Sequence, residues 1–195
     1  MTNCSAGGDM DATITAAPRE IHDLVYRAGR VAGCDPGTAE RIAENVTHAE
    51  IRHGSAVRAF CVALEAVDLP TSAWATAPDA LAAAEVAARA GGPASATFDP
   101  EVPLACIAAS IQQCLERGVA TVGINNQARG DLVMAVAEMH TVDRESATAA
   151  RARITEALRD AHRLGVGVDR LWFSRLEAAA AAFLVSEATL DEVEP

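Results

Sequence analysis

Apolar residues recur every three or four positions over most of the chain, which is the spacing that places them on one face of an α-helix. Start and stop signals bound these segments, such as Asp35 followed by Pro36 at a start and Gly33 or Gly118 at an end. The pattern predicts helices over residues 18–32, 36–50, 56–64, 80–90, 103–117, 131–139, 148–164 and 170–184. Residues 70–79 are predicted to form a loop.

Two segments have the pattern of strands instead. Residues 119–124 are a short continuous run of apolar and β-branched residues between Gly118 and Asn125, and residues 94–98 precede Asp99 and Pro100. With the helix between them, these segments form a strand–helix–strand sequence. We therefore predict a mostly helical α+β fold, with a helical N-terminal part and a small sheet built around one β-α-β unit.

The expected organisation is one compact domain over residues 17–186. It consists of a helical part (17–69), a β-α-β part (94–140) and C-terminal helices (148–186). A flexible tail is expected over residues 1–16, which lack periodicity, and an acidic tail over 187–195.

Composition narrows the possible functions. The net charge of −11 argues against a nucleic-acid partner, because phosphate binding needs concentrated basic charge. All sixteen basic residues are arginine, so a pyridoxal phosphate Schiff base to lysine is excluded. No window has the eighteen uncharged apolar residues of a membrane span, so no membrane association is expected. The five cysteines form no C-x-x-C pair and no secretory signal precedes them, which indicates reduced thiols and a cytoplasmic location.

The densest group of chemically capable side chains lies between the second and third predicted helices. Arg52, His53, Ser55 and Arg58 fall within seven residues, and Ser55 is also a candidate helix cap. Guanidinium groups match carboxylate geometry, so this group could bind a small carboxylate ligand. The alternative is that His48 and His53 are merely surface residues near a helix end. A metal site is disfavoured because an i,i+5 spacing does not align two histidines on one helical face.

A second candidate group follows the predicted central strand. Asn126 and Arg129 come after its carboxyl end, where α/β units tend to bind ligands. The alternative is a polar turn that only joins two elements.

Two stretches of the chain together resemble one known family. Gly33 to Arg52, continuing to His53 and Arg58, and Glu116 to Asn126, continuing through Arg129 to Met139, are similar to the type-2 malate/L-lactate dehydrogenases. The resemblance covers about half the chain and implies NAD or NADP as cofactor and a small hydroxy, keto, imino or amino acid as ligand. Residues 168–187 instead resemble short bacterial proteins that contain a domain of unknown function.

The chain departs from that family at residues that belong to the family's catalytic motifs. Either Arg52 stands in place of the serine in the family's Ser-His-Gly motif, or Gly54 and Ser55 align with the residues before the motif's histidine, which is then missing. The turn over residues 126–130 lacks the histidine that serves the family as acid and base. Arginine stays protonated near neutral pH and is a poor proton shuttle, so Arg129 cannot replace that histidine.

Three hypotheses follow, and the first is favoured. The chain is a catalytically degenerate, dehydrogenase-like subunit that binds a small carboxylate or assists a catalytic partner in a homo- or hetero-oligomer. Alternatively, it is a compact oxidoreductase with His53 as the catalytic proton donor and Arg52, Ser55, Arg58, Asn126 and Arg129 as substrate-binding residues. The third hypothesis is a helical protein-interaction module. Whether the chain is an enzyme is left open.

Overall fold

The computed structural model describes residues 13–92, 94–126 and 132–183. This part of the chain is a mostly helical α+β fold, as predicted. The helices are α1 Pro18–Val31, α2 Pro36–His53, α3 Ala56–Ala66, α4 Ala73–Arg89, α5 Ala108–Glu116, α6 Arg144–Leu164 and α7 Arg170–Ala181. The strands are β1 Thr13–Ala16, β2 Ala94–Pro103, β3 Val119–Asn126, β4 Leu132–Thr141 and β5 Val166–Asp169.

Aspartate side chains fix the starts of three helices. Asp35 accepts hydrogen bonds from the backbone N–H groups of Gly37 and Thr38 at 2.9 and 3.1 Å, and Asp169 caps α7 in the same way. The helix start that Asp35 and Pro36 predicted is confirmed. Asp143 caps α6 through the N–H of Ser146 at 2.8 Å. Such caps satisfy N–H groups that have no partner within the helix.

The larger sheet has three antiparallel strands in the order β2-β4-β3. The predicted strand–helix–strand unit is β2-α5-β3, but β4 lies between its two strands. The helix predicted over residues 131–139 is therefore wrong, because Leu132–Thr141 is a strand. Its apolar residues fit both helical and alternating spacing. The segment is a strand because it pairs with β2 on one side and with β3 on the other.

The predicted loop over residues 70–79 is also wrong. Leu69–Thr71 form a 3₁₀ turn, and α4 begins at Ala73 with Pro78 inside it. Proline removes one helical hydrogen bond, which is why the sequence pattern indicated a break. The Ser72 side chain accepts a hydrogen bond from the Trp74 N–H at 3.2 Å, and Trp74 and Leu81 are buried on the same helix. Capping and burial together stabilise α4 although Pro78 removes one of its hydrogen bonds.

A second, two-stranded sheet forms where none was predicted. β1 pairs antiparallel with β5, with Ile14 opposite Val168 and Ala16 opposite Val166. Thr13–Ala16 thus form a strand within the predicted flexible tail over residues 1–16. Val166–Asp169 form the other strand, between the helices predicted over residues 148–164 and 170–184. Four-residue strands leave too short a pattern to recognise, and only their pairing defines them. Residues 1–12 and 187–195 lie outside the described residues, and the division into a single domain stays a prediction.

One hydrophobic core joins the helices to both sheets. Its largest fully buried side chains include Phe60, Ile42, Leu81, Met134 and Leu176. Cys61, Cys106 and Cys114 are buried in it as free thiols. Among the described residues, no helix is long and apolar enough to cross a membrane.

A glycine sets the register of β3 against β4, and its substitution tests this packing. The register shifts between Val122 and Ile124, and Gly123 between them has φ 118°. A Cβ at Gly123 would collide with the carbonyl oxygen of Val136, so we expect Gly123→Ala to lower the free energy of unfolding by about 3 kcal/mol.

Gly91→Ala is the matched control for that variant. Gly91 also has a positive φ, 84°, but nothing lies near its missing Cβ, so a loss of about 1 kcal/mol is expected from backbone strain alone. Urea unfolding of both variants measures the difference. Equal losses would show that the close approach to Val136 does not constrain the sheet.

Candidate functional site

The predicted group of basic residues lies at the corner between α2 and α3. Gly54 and Ser55 form this corner, both with positive φ, at 71° and 62°. A left-handed serine is unfavourable by about 1 kcal/mol, so the surrounding structure must hold it in place. The prediction that Ser55 caps α3 is wrong, because its side chain makes no capping hydrogen bond. An N-cap side chain reaches the helix from an extended backbone, which Ser55 does not have.

Glu50 caps α3 in place of Ser55. Its carboxylate is buried, with 5% of the residue exposed, and Oε2 accepts a hydrogen bond from the Val57 N–H at 2.8 Å. Burial raises the pKa of Glu50, and the backbone N–H groups of Val57, Ala56 and Ser55 act in the opposite direction. A side chain from the last turn of one helix thus satisfies the first N–H groups of the next. Sequence reasoning missed this role, because the seven-residue separation matches no known capping pattern.

Two open clefts flank the corner. The α2–α6 cleft has a volume of about 510 Å³ and is lined by Arg52 and His53, together with residues of α6 and β5. The α3–α7 cleft has a volume of about 240 Å³ and is lined by Ser55 and Arg58, together with residues of α7 and both strands of the smaller sheet. Gly54 and Glu50 line both clefts.

The predicted ligand-binding residues are therefore divided between two clefts. Arg52 and His53 face the first, and Ser55 and Arg58 face the second. The turn at Gly54 separates the two pairs, so neither cleft offers Arg52 and Arg58 to one carboxylate. Whether any of the four contacts a ligand stays a prediction.

Arg52 lies close to a second arginine, Arg153 of α6. Burial and, to a smaller extent, the positive charge of Arg153 lower the pKa of Arg52. Arg52 forms no salt bridge with any described residue. An anion at this position would offset the repulsion between the two guanidinium groups. Arg153 was not a candidate from sequence, because only the packing of α6 against α2 brings it to the corner.

His53 is exposed at the end of α2. Burial of part of its ring and the charge of Arg52 lower its pKa below the ordinary histidine value of 6.5. The imidazole is therefore neutral at neutral pH, where it can accept a proton more readily than it can donate one. This protonation state does not suit the predicted role of proton donor.

The corner also lies next to the end of the β3–β4 strand pair at which β3 ends and β4 begins. A small cavity of about 20 Å³ is lined by His53, Gly54 and Leu132. Asn126 is the register partner of Leu132, so the two sequence motifs that carry the family resemblance lie next to each other. The Asn126 side chain and all of Arg129 lie outside the described part of the chain.

Three further histidines differ in exposure. His140 and His162 are exposed, but the alternative in which His48 is a surface residue is wrong, because only 8% of His48 is exposed. It faces inward because it shares a face of α2 with Ile51, which packs against the core. Within the described ranges, no cluster of histidine, cysteine, aspartate and glutamate could hold a metal ion.

The chain matches no protein-family model, no curated protein and no solved structure. The resemblance to the type-2 malate/L-lactate dehydrogenases therefore stays a prediction from sequence.

The charge of Glu50 can be tested through the pH dependence of stability. Its pKa in the folded protein lies above the ordinary glutamate value of 4.5, so the unfolded chain releases this proton first as the pH rises. We expect the wild type to lose stability relative to Glu50→Gln as the pH rises from about 4.5 towards 7. Urea unfolding at a series of pH values measures this difference.

Glu156→Gln, at an exposed position of α6, is the matched control for the loss of one negative charge. Subtracting its pH profile leaves the part that is specific to the buried carboxylate. A wild type that gains stability relative to Glu50→Gln over the same pH range would contradict the assignment.

Proposed function

We propose that the protein binds a small carboxylate, namely a hydroxy, keto, imino or amino acid, in the α2–α6 cleft. We propose further that it is dehydrogenase-like but without redox activity of its own, and that it assists a catalytic partner in small-molecule metabolism. The observation that carries the proposal is Arg52 in the wall of an open cleft, with the charge of Arg153 within electrostatic reach and no described carboxylate in a salt bridge with Arg52.

The volume and the lining side chains of the α2–α6 cleft are compatible with a small ligand. Its volume of about 510 Å³ is more than a three- or four-carbon acid occupies, which leaves room for water or for part of a larger molecule. Arg52 offers planar N–H donors that match a carboxylate, and the neutral His53 ring offers one further donor or acceptor for a hydroxyl or keto oxygen.

The buried Glu50 carboxylate limits where an anion can bind. Helix N-termini are common anion sites, but Glu50 already occupies the N-terminus of α3. A second carboxylate there would be repelled and would have to displace a buried hydrogen bond. The ligand is therefore expected at the guanidinium groups and not at the Val57 N–H.

Among the described groups at the corner, His53 can act as a base at neutral pH but not as the proton donor that reduction of a keto acid needs. His53 is neutral at neutral pH, and Asp160 in the same cleft is engaged by Arg163 at 3.2 Å. No histidine is present in the turn over residues 126–130, where the resembled family places its acid and base. The proposal that a catalytic partner completes the chemistry rests on this loss.

A compact active oxidoreductase is the second candidate. His53 lines the cleft next to Arg52 and also the small cavity beside Leu132, so it lies where the two sequence motifs meet. In that case His53 would take a proton from a hydroxyl group as NAD or NADP is reduced. Turnover of NAD(P)H with pyruvate by the purified chain, abolished in His53→Ala, would favour this candidate.

Calorimetric titration with pyruvate, L-lactate and L-proline tests the proposed ligand class. Loss of a charge-assisted hydrogen bond weakens binding about 10-fold or more, so Arg52→Ala is expected to reduce the affinity for the acid that binds by at least that factor. Arg153→Ala is expected to reduce it less, because its charge acts from a neighbouring helix.

Arg41→Ala is the control for those variants, because Arg41 is an exposed arginine on the same helix that pairs with Asp79 at 3.0 Å. Its affinity is expected to equal that of the wild type. Equal affinity in Arg52→Ala would refute the site, and the absence of binding by all three acids would favour the protein-interaction module.

A further inference from the structure

A third cleft lies between α1, α2 and α6, with a volume of about 420 Å³. We call it the α1–α6 cleft. Its apolar walls include Pro18, Ile51 and Leu158, one from each helix. It adjoins the proposed carboxylate cleft and shares Ile51 with it, but Arg52 and His53 are not among its lining residues.

Two consecutive buried side chains of α2 in this wall have no hydrogen-bond partner. Thr47 is 9% exposed and His48 is 8% exposed. The Thr47 Oγ1 and both ring nitrogens of His48 contact no donor or acceptor among the described residues. A buried polar group without a partner destabilises the folded state by about 1–3 kcal/mol.

The other buried polar side chains of α2 are satisfied. The Asn45 amide nitrogen donates to the Arg41 carbonyl at 2.8 Å, and its oxygen accepts from the Ala109 N–H at 2.9 Å. Glu50 accepts from Val57. The unsatisfied groups of this helix are therefore confined to the wall of the α1–α6 cleft, which is the pattern expected of a ligand site.

We propose that the α1–α6 cleft binds a small neutral molecule with an apolar body and one hydroxyl group, which hydrogen-bonds to Thr47 and His48. Phenol is the simplest probe of this class. The proposal is independent of the carboxylate site.

The chemistry of the two side chains selects a neutral hydroxyl. Burial, reinforced by the positive charge of Arg52, lowers the pKa of His48 to about 4, so its ring is neutral at neutral pH. A neutral imidazole has one donor and one acceptor nitrogen, and the threonine hydroxyl also donates and accepts. A ligand hydroxyl can complement both groups, whereas a carboxylate would only accept and would lose hydration of its charge.

The polar atoms are shielded from solvent in the unliganded structure. A side chain in the cleft wall must therefore move before a ligand hydroxyl reaches them. Ile51 and Leu158 are only partly buried, so such a movement disturbs little of the core.

Titration of the full chain with phenol and toluene, followed by NMR, tests the proposal. The two probes share an aromatic body, and only phenol has a hydroxyl. We expect saturable binding that perturbs the Thr47 and His48 signals, with phenol binding about 3- to 10-fold tighter than toluene.

Thr47→Val keeps the side-chain shape and removes the hydroxyl. It is expected to lose most of the preference for phenol and to raise the Tm of the unliganded protein, because an unsatisfied buried group is removed. Thr148→Val is the matched control, since the Thr148 hydroxyl is exposed and donates to the Arg144 carbonyl at 2.7 Å. This control should keep the preference for phenol.

Three results would overturn the proposal. The first is that neither probe shows saturable binding. The second is that Thr47→Val keeps the preference of the wild type. The third is a lower Tm for Thr47→Val with unchanged phenol binding, which would mean that a buried water satisfies the hydroxyl.

Discussion

The buried carboxylate of Glu50 is the interaction on which the corner between α2 and α3 depends. It accepts a hydrogen bond from the Val57 N–H, and in doing so it ties the last turn of one helix to the first turn of the next. A charge-assisted bond of this kind contributes about 1.5–3 kcal/mol, which is enough to hold Ser55 in its left-handed conformation. The same bond occupies the N-terminus of α3, which is why we propose Arg52 as the place where a ligand carboxylate binds.

Local signals predicted the helices well, and they failed where partners distant in sequence decide the structure. The caps at Asp35 and Asp169 could be predicted because capping depends on residues a few positions apart. β4 could not, because its apolar spacing is ambiguous until β2 and β3 pair on both sides. β1 and β5 are defined by each other alone, and α4 continues through Pro78 because burial of Trp74 and Leu81 outweighs one lost hydrogen bond.

The candidate site also depends on contacts between residues that are distant in sequence, which local signals do not predict. Arg52, His53 and Arg58 could be identified because they are close in sequence, but their division between two clefts follows from the turn at Gly54. Arg153 reaches the corner only through the packing of α6. The burial of His48 depends on which face of α2 meets α1 and α6, and helical periodicity alone did not exclude a surface position.

The central claim is that the α2–α6 cleft binds a small carboxylate while Glu50 still accepts the hydrogen bond from the Val57 N–H at the start of α3. A titration of the ¹⁵N-labelled chain with pyruvate tests both parts at once. The account predicts saturable chemical-shift changes at Arg52, His53 and Ala157, with the Val57 amide signal unchanged. The largest change at the Val57 amide would contradict it, because the ligand would then have displaced Glu50, and so would the absence of any saturable change.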